Sequence, residues 1–310
     1  EEQELWGFRA DDVHLVLSPL HHSAPLRFAM GTLLAGGRIV GFDDEGIHPG
    51  FDPAEVTATI EAERPTTLFC VPTHLQRLVA HWESHGTPDL GCFRLVAHAG
   101  APCPPALKRQ VIDLFPAGST WEFYGSTEGQ FTACRGEEWL RRPGTVGRAR
   151  AGRSLAVDAE GQIWCAVPEH ARFSYYGAPD KTAAAWRDTP DGPAFTVGDL
   201  GRLEDGWLHL DGRREDLVIT GGVNVYPVEV EEVLGAVPGV EDVAVFGIAD
   251  DHWGQRVTAA VVGSATEHDL RAHAQQHLSP AKRPKDYRFL DTLPRTLTGK
   301  VLRRDLADRV

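Results

Sequence analysis

Between residues 13 and 126, short apolar runs alternate with segments whose apolar positions recur every three or four residues. The runs "VHLVL" (13–17), "RIVGF" (38–42), "TTLFCVP" (66–72), "FRLVAHAG" (93–100) and "STWEFYGS" (119–126) read as strands. The segments "PLRFAMGTLLAGG" (25–37), "PAEVTATIEAERP" (53–65) and "PPALKRQVIDLF" (104–115) read as helices. The first of these stops at Gly36–Gly37, and the second carries Pro53 near its start. Thr73 and Gln76 have the spacing of a capping box and are expected to open another helix after the third strand. Strands that alternate with helices predict a parallel sheet with covering helices.

The pattern changes after residue 139. Residues 140–212 are rich in glycine, proline and short strand-like runs, such as "GTVGRA", "SLAVD", "QIWCAV", "AFTVGDLGRL" and "GWLHLDG". They predict a small β-barrel or sheet. Beyond "GRREDLVITGG" comes a compact α+β pattern. Its helices are "PVEVEEVLGAV" and "EHDLRAHAQQHL", and its strands are "VEDVAVFGIA" and "RVTAAVVG". The charged stretch at Arg214–Glu215 marks the expected boundary. The predicted fold class is α/β, with a larger unit at 1–213 (an α/β sheet part at 1–139 and a β-rich part at 140–213) and a small α+β unit at 214–310.

Composition narrows the function classes. With 42% hydrophobic residues a substantial core can form. A formal charge of −13 argues against nucleic acid or an anionic membrane as a general partner, although "LRRDL" near the end is locally basic. The five cysteines form no CxxC pair and are odd in number, which suits free thiols in a reducing cytoplasm. No apolar run approaches the length of a membrane span. The chain opens on Glu1 and its single methionine is Met30, so a processed or shortened chain is expected.

The segment "LPRTLTGKVLRRDL" (293–306) presents Lys300 directly after Gly299. A phosphate loop would need another glycine where Pro294 stands and a Ser or Thr where Val301 stands, so this lysine has a different context. Four glycine-marked loops accompany it: Ala99–Pro102, Tyr124–Gly129, Val197–Gly201, and the stretch from Asp211 to Pro227. The first two follow predicted strands. In a parallel sheet, loops at the carboxyl ends of neighbouring strands lie side by side and collect ligands.

This ordered set, "AGAP", "YGSTEG", "VGDLG", "DGRRED", "TGGVN" and "TGK", resembles the adenylate-forming (AMP-binding) superfamily. That group includes acyl-CoA synthetases, the adenylation domains of peptide synthetases and beetle luciferase. The stretches "PLHHSAPLRFA", "GAPCPPALKRQVID" and "EEWLRRPGTVGRA" are most similar to the branch that activates fatty, bile and steroid acids. The resemblance implies two half-reactions. A carboxylate attacks the α-phosphate of ATP to give an acyl-adenylate, and the thiol of coenzyme A then displaces AMP. On the matching positions it implies catalytic roles for Lys300, Glu128 and Thr127, with Lys300 as the cation at the α-phosphate and Glu128 as the Mg²⁺ ligand. Ser126 and Gly125 are then at the phosphate, and Gly100, Ala101, Pro102 and Tyr124 at the adenine. Asp199 and Arg213 are at the ribose, Glu215 is the hinge between the two units, and Gly221 and Gly222 line the path of coenzyme A. His22 and Phe123 are placed at the acyl pocket, where Phe123 reads equally well as core. Val197 stands where the family commonly has threonine, a substitution similar to that of the bile-acid-like branch.

The partners implied are a fatty or other apolar carboxylic acid, ATP and coenzyme A, with no nucleic acid and no stable membrane insertion. A homodimer is compatible with this reading. No stretch matches the Ser/Thr/Gly-rich phosphate loop of the family, which precedes the position equivalent to Glu1. Residues 1–213 therefore read as the C-terminal portion of the large domain, and the chain as a fragment with impaired activity on its own. The alternative is a non-catalytic remnant that binds nucleotide or acyl-adenylate.

Overall fold

The computed structural model describes residues 2–42, 51–296 and 301–308. Helix α1 (Glu2–Trp6) leads to β1 (Val13–Val16), α2 (Ser23–Leu34), β2 (Arg38–Val40), α3 (Pro53–Glu63), β3 (Thr67–Cys70), α4 (Pro72–His85), β4 (Leu95–His98), α5 (Pro105–Leu114) and β5 (Thr120–Gly125). Strands β2, β1, β3, β4 and β5 lie side by side in that order, all parallel. Every residue of β3 and β4 is buried, as expected for strands covered on both faces. Leu68 and Cys70 join Val56, Ile60, Leu75 and Trp82 of α3 and α4 on one face. Phe69 turns to the other face, against Trp6 and Phe28 of α1 and α2.

Asp52 caps α3, its side chain accepting from the Ala54 N–H at 2.9 Å. The capping box expected at Thr73 and Gln76 does not form. Helix α4 begins one residue earlier, at Pro72, behind an extended Val71 with no side-chain cap. The fixed φ of proline suits the first helical position, so Thr73 is already inside the first turn.

The chain continues through β6 (Gln130–Arg135), α6 (Gly136–Arg141), β7 (Thr145–Ala149), β8 (Ser154–Val157), β9 (Ile163–Ala166), α7 (Pro179–Ala185), β10 (Trp186–Thr189), β11 (Gly192–Phe195), β12 (Asp199–Glu204) and β13 (Trp207–Arg213). Here the β-rich stretch divides rather than standing apart as a barrel. Strands β6, β7, β13 and β12 extend the first sheet, antiparallel, to nine strands. Strands β8 to β11 form a separate four-stranded antiparallel sheet in the order β10-β11-β9-β8. A bridge between Gln162 and Leu200 joins the two sheets. They share one core, in which Phe131 and Leu208 of the large sheet meet Ile163 and Phe195 of the small one. The apolar side chains of the two sheets close on each other there.

A short 3-10 turn at Arg214–Asp216 leads to β14 (Val218–Thr220), β15 (Val223–Val225), α8 (Pro227–Gly235), β16 (Val240–Asp250), β17 (Gly254–Gly263), α9 (Glu267–His277), β18 (Asp286–Phe289) and α10 (Arg303–Asp308). These strands make a third sheet in the order β15-β14-β17-β16, with β18 parallel to β17. Val230 and Leu234 of α8 and Leu270 and Ala274 of α9 pack with Val245 and Val257. Leu306 of α10 packs with Ala244, Phe246 and Ala260 instead. The architecture is thus α/β, with a parallel sheet and a smaller terminal sheet. No helix among the described residues is long and apolar enough to cross a membrane.

Candidate active site

Strands β4 and β5 are parallel neighbours, with His98 opposite Glu122, so the loops that follow them leave the same edge of the sheet. The first is Ala99–Pro102. Gly100 has φ of 93°, a left-handed conformation that a side chain strains, although a Cβ there would have room. The second is the turn after Tyr124, closed by the Ser126 N–H donating to the Gly129 carbonyl at 2.7 Å. Gly125 is required by space: a Cβ would lie 2.7 Å from the Gly129 carbonyl oxygen and 2.8 Å from the Gln130 Cα. Thr127 at the tip of this turn is exposed, and Ser126 is half-buried.

A third strand pair brings in the next two residues. Asp199 opens β12 and Arg213 closes β13, and the register sets them opposite each other. The Asp199 carboxylate is paired with Arg213 Nε at 3.2 Å and accepts from the Tyr124 hydroxyl at 2.6 Å. Burial, reinforced by Asp199, pushes the Tyr124 phenol well above its ordinary range, so it remains a donor. The Tyr124 ring packs against Phe131, with centroids 4.9 Å apart. Tyr124, Asp199 and Arg213, 75 and 14 residues apart along the chain (199 − 124 and 213 − 199), therefore form one polar cluster.

Glu128 stands on the same turn as Gly125. Its Oε1 accepts from the Tyr175 hydroxyl at 2.9 Å. Burial acts to raise its carboxyl, but backbone and hydroxyl donors and the nearby Lys181 outweigh it and hold the group below the ordinary range. Beside Glu128 lies a cleft of about 380 Å³ lined by Arg27, Gln130, Arg153 and Phe195, among others. Among the described residues, no group of three or more His, Cys, Asp or Glu could hold a metal ion by itself. A Mg²⁺ ion does not need one, because it takes one or two carboxylates and completes its shell with phosphate oxygens and water. An ionised Glu128 at the edge of a cleft fits that demand.

The remaining expected residues are placed as follows. Glu215 lies in the 3-10 turn between the first and third sheets, where it meets Arg213 at 3.5 Å and Arg304 at 3.6 Å. The next residue, Asp216, pairs with Arg303 at 3.3 Å, and Arg303 also grips Glu231 at 2.7 Å. Gly221 and Gly222 form the exposed turn between β14 and β15. His22 precedes α2, and burial together with neighbouring His21 lowers its imidazole from the ordinary range. Phe123 is 5% exposed, packed against Trp6, Phe28 and Phe69. Lys300 lies outside the described residues. On either side of it Arg295 and Val301 pair as a bridge, and the Leu302 N–H donates to the Pro294 carbonyl at 2.9 Å.

Two features have no motif in the sequence. One is Tyr175 with Lys181, whose Nζ lies 4.0 Å from the Tyr175 ring centroid. The other is a buried ion pair between Lys108 of α5 and Glu122 of β5, beneath the Gly100 loop. The only local signal for the first is the "SYYGAP" run, whose proline starts α7. Burial raises the thiols of Cys70, Cys92, Cys103, Cys134 and Cys165 above the ordinary range.

Comparison with known proteins agrees with this arrangement. Residues 1–168 match the family described as AMP-binding enzyme, and residues 229–300 match the AMP-binding enzyme C-terminal domain. The chain is 34% identical to a feruloyl-CoA synthase of an Amycolatopsis species, over 97% of this chain and 62% of that protein. It is 31% identical to the long-chain-fatty-acid–CoA ligase FadD13 of Mycobacterium tuberculosis, over 97% of this chain and 60% of that protein. The structure of o-succinylbenzoate coenzyme A synthetase (MenE) from Bacillus subtilis, in complex with ATP and a magnesium ion, superposes with a TM-score of 0.81 at 26% identity. That match covers 98% of this chain and 63% of the solved one. The chain thus spans between 60% and 63% of the length of these three proteins. Its two matched regions have one common explanation: the chain belongs to the AMP-binding, adenylate-forming enzyme family.

Proposed function

We propose that the chain is part of an ATP-dependent acid–thiol ligase that converts a carboxylic acid to its coenzyme A thioester through an acyl-adenylate. The observation that carries this reading is the Tyr124–Asp199–Arg213 cluster, whose Tyr124 ends the strand that leads into the Glu128 turn. A carboxylate beside an arginine suits the paired hydroxyls of a ribose and the adjacent phosphate. Gly100, Ala101 and Pro102 supply backbone groups for the adenine, next to Tyr124. Gly125, Ser126 and Thr127 face the phosphates.

In the first half-reaction the acid's carboxylate oxygen attacks the α-phosphorus, and the bond to the bridging oxygen of pyrophosphate breaks. Negative charge on the phosphate oxygens grows in that transition state, and a fixed cation stabilises it. Lys300 is the residue assigned to that task. Glu128 would hold Mg²⁺, which when bound would supply charge neutralisation at the phosphates. In the second half-reaction the coenzyme A thiolate attacks the acyl carbon and AMP leaves. Glu215 is the hinge that exchanges the two poses, and Gly221 and Gly222 line the pantetheine path. His22 borders the acyl pocket; Phe123, packed as it is, acts as the wall behind it. We assign a fatty or other apolar acid as substrate. The two curated relatives are named for a feruloyl and a long-chain acyl group, so the acid itself is open to test. A reducing cytoplasmic setting suits the five free thiols.

The test is acid-dependent exchange of pyrophosphate into ATP, run on the full reading frame that encodes these residues, with a panel of fatty, aromatic and steroid acids. Exchange that appears only when an acid is present supports the ligase. Tight binding of AMP or an acyl-adenylate analogue with no exchange across the panel would instead favour a non-catalytic binder.

A further inference from the structure

Glu128 sits half-buried on a turn of the first sheet, where groups of its own turn act on it, but a further donor reaches it from a loop of the second. Tyr175 lies between β9 and α7, 47 residues further along the chain. Its loop is firmly built. The Tyr175 N–H donates to Thr182 Oγ1 at 2.9 Å, and the Ala178 N–H donates to the Tyr175 carbonyl at 3.2 Å. The ring stands edge-on to Phe173 at 5.2 Å, and Phe173 in turn packs against Trp186 and Phe195 in the shared core. Lys181 holds the ring with its ammonium. A hydroxyl fixed in this way donates to one chosen oxygen, Glu128 Oε1, at 2.9 Å.

We infer that Tyr175 is a positioning residue: its single hydrogen bond, delivered from the second sheet, selects the rotamer in which the ionised Glu128 carboxylate meets a phosphate-bound divalent cation. The inference rests on the reading of Glu128 as the metal-holding residue. A merely structural bond would tie the two sheets together and leave metal affinity alone. The geometry argues otherwise: Phe173 and Lys181 fix the ring, so its hydroxyl reaches Glu128 Oε1 from a set direction and orients the carboxylate as well as joining the sheets. Partners that orient a metal ligand typically change metal affinity by about 10- to 100-fold when removed.

The experiment measures binding of Mn²⁺–ATP by electron paramagnetic resonance in the full reading frame, comparing the parent with Tyr175→Phe, Lys181→Gln and Glu128→Gln. Tyr175→Phe keeps the contacts with Phe173 and Lys181 and removes only the hydroxyl. It is expected to weaken Mn²⁺–ATP binding by roughly tenfold and to leave metal-free ATP binding unchanged. Lys181→Gln leaves the hydroxyl in place and removes only the cation on the ring, so it is expected to weaken Mn²⁺–ATP binding less than Tyr175→Phe does; a loss there as large as in Tyr175→Phe would reveal general loosening of the loop and overturn the inference. If Glu128→Gln weakens binding while Tyr175→Phe leaves Mn²⁺–ATP affinity unchanged, the positioning role is wrong and the metal reading stands. If Glu128→Gln leaves binding intact as well, the metal reading itself fails.

Discussion

Lys108→Met tests how the base of the Gly100 loop is held. The Lys108 and Glu122 side chains are 4% and 8% exposed and form an ion pair. Lys108 comes from α5, which follows the loop, and Glu122 from β5, which pairs with the end of β4. The pair therefore ties the loop's two ends together, and the Lys108 ammonium also lies 5.0 Å from the Trp139 ring. Replacing the ammonium by a thioether preserves bulk but leaves a carboxylate that water does not reach. Removing one partner of such a pair typically destabilises by about 3–5 kcal/mol, because the remaining charge is uncompensated. The double variant Lys108→Met/Glu122→Gln removes that charge and is expected to recover about 2 kcal/mol of the loss. The assay is urea unfolding of both variants and the parent, with stability taken from midpoint and slope. The single variant should also raise the KM for ATP more than the double does. A single-variant loss below about 1 kcal/mol at unchanged slope, or a double variant no more stable than the single, would refute the claim that burial of an unpaired carboxylate dominates.

Two further outcomes are expected. Asp199→Asn keeps the size of the side chain but removes the charge that Tyr124 and Arg213 address; ATP affinity measured by calorimetry should fall by roughly tenfold, in line with the loss of a charge-assisted contact, and an unchanged affinity would remove Asp199 from the nucleotide site. His14 is 1% exposed and contacts Thr67 Oγ1 at 2.9 Å, and burial lowers its imidazole from 6.5 to about 4. The folded state thus resists a proton that the unfolded chain accepts: its contribution is complete above pH 6.5 and is lost as pH falls from there to about 4, by about 3 kcal/mol in all. Urea midpoints recorded across that range should fall in the parent and fall less in His14→Gln; identical profiles would exclude His14 as the cause.

Much of this arrangement is legible along the chain. Runs such as "TTLFCVP" and "FRLVAHAG" announce strands buried on both faces, because a fully covered parallel strand has no polar side to show. Gly100 and Gly125 mark their turns because a left-handed φ and a backbone approach of 2.7 Å are local demands that leave only one suitable residue type. Thr73 illustrates a limit of that reading: its spacing with Gln76 is right, but Pro72 claims the first helical position and moves the start of α4. The β-rich stretch shows another. Strands β8 to β11 and β7, β12 and β13 have similar local patterns, yet they enter different sheets, because the choice depends on which apolar face remains to be covered once the parallel strands are assembled.

The sequence alone determines the order of strands and helices, the glycine turns and the family signature, since each depends on neighbouring residues and short-range backbone geometry. Tertiary structure alone decides that Tyr175 addresses Glu128, that Asp199 faces both Tyr124 and Arg213, and that Lys108 finds Glu122 beneath the loop. Those partners come from different elements, and no local pattern records a hydrogen bond whose two ends meet only after the sheets have closed.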